Sequence, residues 1–181
     1  MLDPLRQRLG YRAALRAARG RQPVIETRPL VERRVLALLP PEERDLRAAW
    51  RFLKTVDVPR SRMVVAVTAG AVAYAPDAFA GSVATVGDKE RDWRGLPRRA
   101  LAQKLWAPGP HVALDLSPAF DLTAAYLVGA SPARFRIGLY SEAGEPFYDL
   151  LLAPTEGYEA ALGALRGYLD AIEPPVLPFL D

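Results

Sequence analysis

The residues able to do chemistry are few, and the missing types decide more than those present. None of the 181 residues is cysteine and one is histidine, His111. Cysteine nucleophiles, disulfides, zinc–thiolate sites and iron–sulfur clusters are excluded, as is a zinc site built on several histidines. A Ser-His-Asp triad could use only His111. That residue follows Pro110 at the start of an apolar run, and no G-x-S-x-G motif accompanies it. His111 therefore reads as structural. Neither a P-loop nor a G-x-G-x-x-G run occurs. No metal and no cofactor is expected, and catalytic residues stay unassigned.

Two places remain where a ligand could meet a polar group. Asp115 closes the apolar run His111-Val112-Ala113-Leu114 and is followed by Leu116, Ser117 and Pro118. A carboxylate there could act as a base or orient a hydroxyl. The better-supported reading is local: an Asp before Ser-Pro accepts from backbone N–H groups at a turn. The second place is the loop Trp93-Arg94-Gly95-Leu96-Pro97. Trp93 and Gly95 could cover a pocket, although a Trp tucked against the core with Gly supplying the turn is commoner.

A third feature is electrostatic. The chain's net charge is +3, yet the first 22 residues hold six arginines against Asp3, a local +5 that leaves −2 for the rest. Asp3 and Pro4 can open a helix, and Gly20 and Pro23 can close it, so the reading is helix over 4–19. Arg8, Arg12, Arg16 and Arg19 then form one cationic stripe. Leu2, Leu5, Leu9 and Ala13 lie on an adjoining, weakly apolar face. Such a stripe suits RNA, the ribosome or another acidic surface; the ordinary alternative is a solvated helix. Tyr11 is the one aromatic among these arginines, so base stacking is not indicated.

The elements that must position these groups follow from periodicity. Arg34–Leu39 is a short apolar run before Pro40-Pro41 and reads as a buried first strand. A helix opens at Pro41 with acids in its first turn. Further strands are read at Met63–Thr68, Ser82–Val86, His111–Leu116, Arg134–Tyr140 and Phe147–Leu152, with helices after Pro97 and Ser117-Pro118 and from Gly157 to Ile172. Ala69–Gly81 is a long connection. A turn at Glu142–Glu145 would make the last two strands antiparallel neighbours. The expected architecture is a three-layer α/β domain with a mainly parallel sheet of about six strands, an antiparallel last strand and a basic N-terminal helix. The boundaries read 1–22 arm, 23–33 extended linker, 34–173 domain and 174–181 Pro-rich tail. If the strand order is 3-2-1-4, ligands would bind between the first and fourth strands, near Pro40, Thr68, Gly70, Asp115 and Ser117.

Four stretches carry a resemblance: Asp92-Trp93-Arg94-Gly95-Leu96-Pro97, Val112-Ala113-Leu114-Asp115-Leu116-Ser117, Ala133-Arg134-Phe135-Arg136-Ile137-Gly138 and Tyr148-Asp149-Leu150-Leu151-Leu152. Together they resemble an uncharacterised bacterial family, a domain of unknown function, which pairs a basic N-terminal helix with a short α/β domain. The resemblance implies that fold and no activity. In the family the first strand tends to end in an acidic residue, where this chain has Leu39-Pro40-Pro41. The segment from Leu114 to Gly138 is also similar to the acceptor-side Rossmann-like domain of heptosyltransferases. This chain is too short to add their nucleotide-sugar domain, so that likeness concerns fold.

Three functions compete at this stage. The arm can make the chain a non-enzymatic binder of an anionic partner. The Asp115–Ser117 edge can make it a small ligand-binding domain or enzyme. The Pro-rich ends can make it a scaffold subunit. No apolar run approaches a membrane span and no secretory signal is visible, so a cytoplasmic protein of undetermined oligomeric state is expected.

Overall fold

A computed structural model describes residues 4–20, 23–24, 29–69, 71, 82–153 and 156–171. Leu2, Asp3, Gly70, most of the Ala69–Gly81 connection and the 174–181 tail lie outside the described residues. Among the described residues, five α-helices and six strands follow in the order α1 (Pro4–Ala18), β1 (Val35–Leu38), α2 (Glu43–Thr55), β2 (Met63–Thr68), β3 (Ser82–Val86), α3 (Arg99–Trp106), β4 (Val112–Asp115), α4 (Leu122–Gly129), β5 (Phe135–Leu139), β6 (Leu150–Leu152) and α5 (Tyr158–Ala171).

The strands form one sheet in the order β3-β2-β1-β4-β5-β6, and every pair is parallel. Parallel strands covered on both faces read as unbroken apolar runs, which is what β1 and β4 are: all four residues of each are buried. Along β1 the side chains alternate between layers. Val35 and Ala37 join Leu46 and Leu53 of α2 and Leu162, Leu165 and Leu169 of α5. Leu36 and Leu38 join Leu105 of α3 and Leu127 and Val128 of α4 on the other face.

The antiparallel last strand is not borne out, because β5 and β6 run parallel. Glu142–Phe147 is a 3₁₀ helix rather than a tight turn. With it, the connection is long enough to carry the chain back across the sheet edge, as parallel pairing requires. Phe147 consequently leaves the strand and is buried among Ala14, Ala18, Leu96 and Ala125. Within the expected linker, Leu30–Glu32 is a 3₁₀ turn whose Leu30 is buried in the core.

Helix α1 is docked on α4, outside the α3/α4 layer. Its contact face differs from the one expected: Leu5 is 62% exposed, and the buried positions are Gly10, Ala14 and Ala18. These fall at four-residue spacing and so share one face. Small residues win because the backbones approach closely. A Cβ on Gly10 would lie 2.7 Å from the Arg94 carbonyl oxygen, and one on Gly129 of α4 would meet the Phe147 ring at 2.9 Å. Tyr11 rivets the same junction, its ring edge-on to Phe147 at 5.6 Å and its hydroxyl donating to the Ala143 carbonyl. Helix propensity alone predicts that Gly10→Val gains slightly. The packing predicts a loss of about 1–3 kcal/mol, measurable by urea denaturation, whereas Gln7→Ala on the exposed side stays within about 0.5 kcal/mol.

Candidate functional site

The strand order reverses between β1 and β4, where Leu38 pairs in register with Asp115. Asp115 is buried, and both its oxygens are engaged. Oδ1 accepts from the Ser117 N–H at 2.9 Å, and Oδ2 accepts from the Tyr148 hydroxyl at 2.5 Å. Burial raises the Asp115 carboxyl to about 6, against the opposing pull of the Tyr148 and Ser117 hydrogen bonds. Burial beside that carboxylate also raises the Tyr148 phenol well above its usual range. Tyr148 is held by Gly138 of β5, where a Cβ would lie 3.0 Å from the ring. A cavity adjoins these groups, with Pro41, Thr68, Ser117, Asp121 and Thr123 among its lining residues. It measures about 20 Å³, room for roughly one water molecule.

His111 is buried at the opposite end of β4 and accepts from the Arg34 N–H through Nδ1 at 2.9 Å. It has no access to Asp115 or Ser117 as a triad partner. Among the described residues, no group of three His, Asp or Glu side chains is placed to hold a metal ion.

The Asp92–Pro97 loop departs from its expected reading. Trp93 is 63% exposed rather than tucked into the core. The loop is built by Asp92, whose Oδ1 accepts from the N–H groups of Arg94 and Leu96 and whose Oδ2 accepts from the Arg94 guanidinium at 2.7 and 2.9 Å. Gly95 supplies the turn at a φ of 83°, the left-handed region where other residues are strained. With Asp92 committed below, Trp93 stands at the tip, the Arg94 guanidinium 6.0 Å from its ring centre.

This loop meets α1 at Gly10, and two clefts flank the junction. One, of about 690 Å³, is lined by Arg8, Arg12, Tyr11, Arg91, Phe120 and the start of α4. The other, of about 680 Å³, is rimmed by Arg94, Arg98 and Arg99 over a floor that includes Leu96, Trp106 and Tyr126. Arg8, Arg12, Arg16 and Arg19 are all exposed. The structure therefore joins two expected sites that are some eighty residues apart in sequence, the arm's arginines and the Trp93–Gly95 loop. It does not bring Asp115 and Ser117 to that surface. Sequence reasoning missed Arg91, Arg94, Arg98 and Arg99 as part of the same basic region. Four arginines within nine residues were a visible signal.

Comparison of the chain with family models, curated protein sequences and solved structures gave no match.

Proposed function

We propose that this protein is a non-enzymatic binder of single-stranded RNA, using α1 and the Trp93 loop as one surface. The observation that carries the reading is the exposed Trp93 ring, 6.0 Å from the Arg94 guanidinium, on a loop that meets α1 at Gly10 and whose Gly95 shares a cleft with Arg8 and Arg12. Backbone-tracking cations interleaved with aromatic platforms are what sequence-tolerant single-strand binding needs. A ribosomal or lipid surface would use the arginines and leave the Trp without a base to stack on. The competing site at Asp115 and Ser117 has less in its favour, because both carboxylate oxygens are occupied and the adjoining space is water-sized. The strand order matches that of dinucleotide-binding sheets, which supports reading the domain as Rossmann-like. A cytoplasmic location accords with this partner, and no helix among the described residues is long and apolar enough to cross a membrane.

Fluorescence anisotropy with a labelled single-stranded RNA tests the reading. Trp93→Ala is expected to weaken binding by about 1–3 kcal/mol with an unchanged melting temperature. Arg16→Ala with Arg19→Ala is expected to flatten the log–log salt dependence by about 1.4, from roughly 0.7 per phosphate contact on a single strand. Affinity that survives Trp93→Ala, or an unaltered slope in the double variant, rejects it. Point substitutions are the right instrument, since deleting α1 would also uncover Phe147, Leu96 and Ala125.

A further inference from the structure

We infer that the cleft between α1 and the start of α4 is a phosphomonoester site that takes a nucleoside 5′-monophosphate, either free or as the 5′ end of an RNA strand. The inference rests on the RNA reading for its second source but is tested separately from it. The first support is geometric. The opening N–H groups of a helix have no intrahelical acceptor and favour an anion. Of these in α4, the Ala124 N–H is taken by the Asp121 carboxylate at 2.8 Å, while Leu122 and Thr123 also line the cleft.

The second support is independent of the helix end. Thr123 is 6% exposed, and among the described residues its hydroxyl has no hydrogen-bond partner. Thr123 lines this cleft as well as the water-sized cavity beside Ser117, so an anion seated at the start of α4 would meet a hydroxyl with no competing partner. Arg91 adds a third observation: its Nε is buried without a hydrogen-bond partner among the described residues. Arg8 and Arg12, one helical turn apart on α1, complete a three-guanidinium rim suited to a dianion.

The ligand class follows from what adjoins the rim. Tyr11 and Phe120, with ring centres 6.1 Å apart, offer an apolar aromatic wall for a base. The volume of about 690 Å³ lies within the range of small-molecule sites. Among the described lining residues, Asp121 is the one opposing charge. Its role as helix cap explains its presence, and it makes a prediction of opposite sign available.

Full-length protein is titrated with one short single-stranded RNA in 5′-phosphorylated and 5′-hydroxyl forms, and with adenosine 5′-monophosphate against adenosine. The phosphorylated strand is expected to bind on the order of tenfold tighter, with the monophosphate competing and adenosine not. Arg91→Gln and Thr123→Val bring that ratio to about one, each with binding of the 5′-hydroxyl strand retained. Asp121→Asn keeps a good cap and raises the ratio by about threefold. Equal affinity for the two strands in the natural protein, or a preference that survives both Arg91→Gln and Thr123→Val, overturns the inference. RNA bound without regard to its 5′ end, with the monophosphate inert, sinks this site and leaves the RNA reading standing. Monophosphate bound without RNA does the reverse, and identifies the free mononucleotide as the source.

Discussion

Asp149→Ala is expected to destabilise the protein by about 3–5 kcal/mol, the cost of leaving a buried charge without its partner. Arg136 lies within β5, its side chain 7% exposed against Asp149 at 6%. The pairing is two-pronged, Nη2 to Oδ1 at 2.7 Å and Nε to Oδ2 at 2.9 Å. Asp149 Oδ2 also accepts from the Arg136 backbone N–H at 2.9 Å. The remaining guanidinium nitrogen, Nη1, donates to the Gly129 carbonyl at 2.9 Å and lies 3.5 Å from that of Ala18. These carbonyls end α4 and α1, where a cation is favoured. One ion pair therefore ties the sheet edge to the ends of two helices, including the docked arm. Replacing both partners, as in Arg136→Met with Asp149→Leu, should recover part of the loss, because an apolar pair avoids the desolvation cost of the charges but takes a partner from the Arg136 N–H and the Gly129 carbonyl. Urea denaturation of the single and double variants measures both quantities. A single-variant loss under about 1 kcal/mol would mean that water reaches the guanidinium, contrary to its packing.

That pair also shows where sequence reading stops. The layered parallel fold was legible because β1, β2 and β4 are short apolar runs separated by helical patterns, and burial on both faces demands that composition. Arg136 inside Phe135–Leu139 was an anomaly that announced a partner without naming it. Its partner lies thirteen residues on, across a connection whose 3₁₀ path has no strong signature. The same connection misled the reading of β6: Ala143-Gly144 resembles a hairpin turn, and nothing local says that Gly144 instead packs against the Tyr148 ring. On α1 the apolar pattern favoured Leu5 and Leu9. The docking face was set by close approach at separate points, Gly10 against the Arg94 carbonyl and Gly129 against Phe147 and the Ala18 Cβ, partners that lie outside each glycine's own segment. Trp93 reversed its expected environment for a related reason. Asp92 satisfies the loop's own N–H groups, so the turn is stable without burying the ring. Asp115 fared better, since an Asp two residues before the N–H it accepts is a local arrangement. Its second partner, Tyr148, is non-local and was invisible.

Asp115 should leave a signature in the pH dependence of stability that runs opposite to ordinary acid denaturation. Burial raises its carboxyl from 3.8 to about 6. Between those values the folded state binds more protons than the unfolded state, so stability falls as pH rises. The contribution of this group is thus fully present below about pH 4 and lost by about pH 7. At about 1.4 kcal/mol per unit, the difference comes to about 3 kcal/mol. Asp115→Asn removes the titration while keeping a side-chain carbonyl for the Ser117 N–H. Urea denaturation of both proteins from pH 3.5 to 7.5 isolates it, because every other titrating group cancels in the comparison. The advantage of the natural protein over Asp115→Asn is expected to shrink by about 3 kcal/mol from the acid end to the neutral end. A difference that stays flat, or that grows toward neutral pH, would show that Asp115 is ionised at little cost. The neighbouring water-sized cavity would then be delivering solvent to the carboxylate, and the switch-point edge would regain its standing as a place for polar ligands.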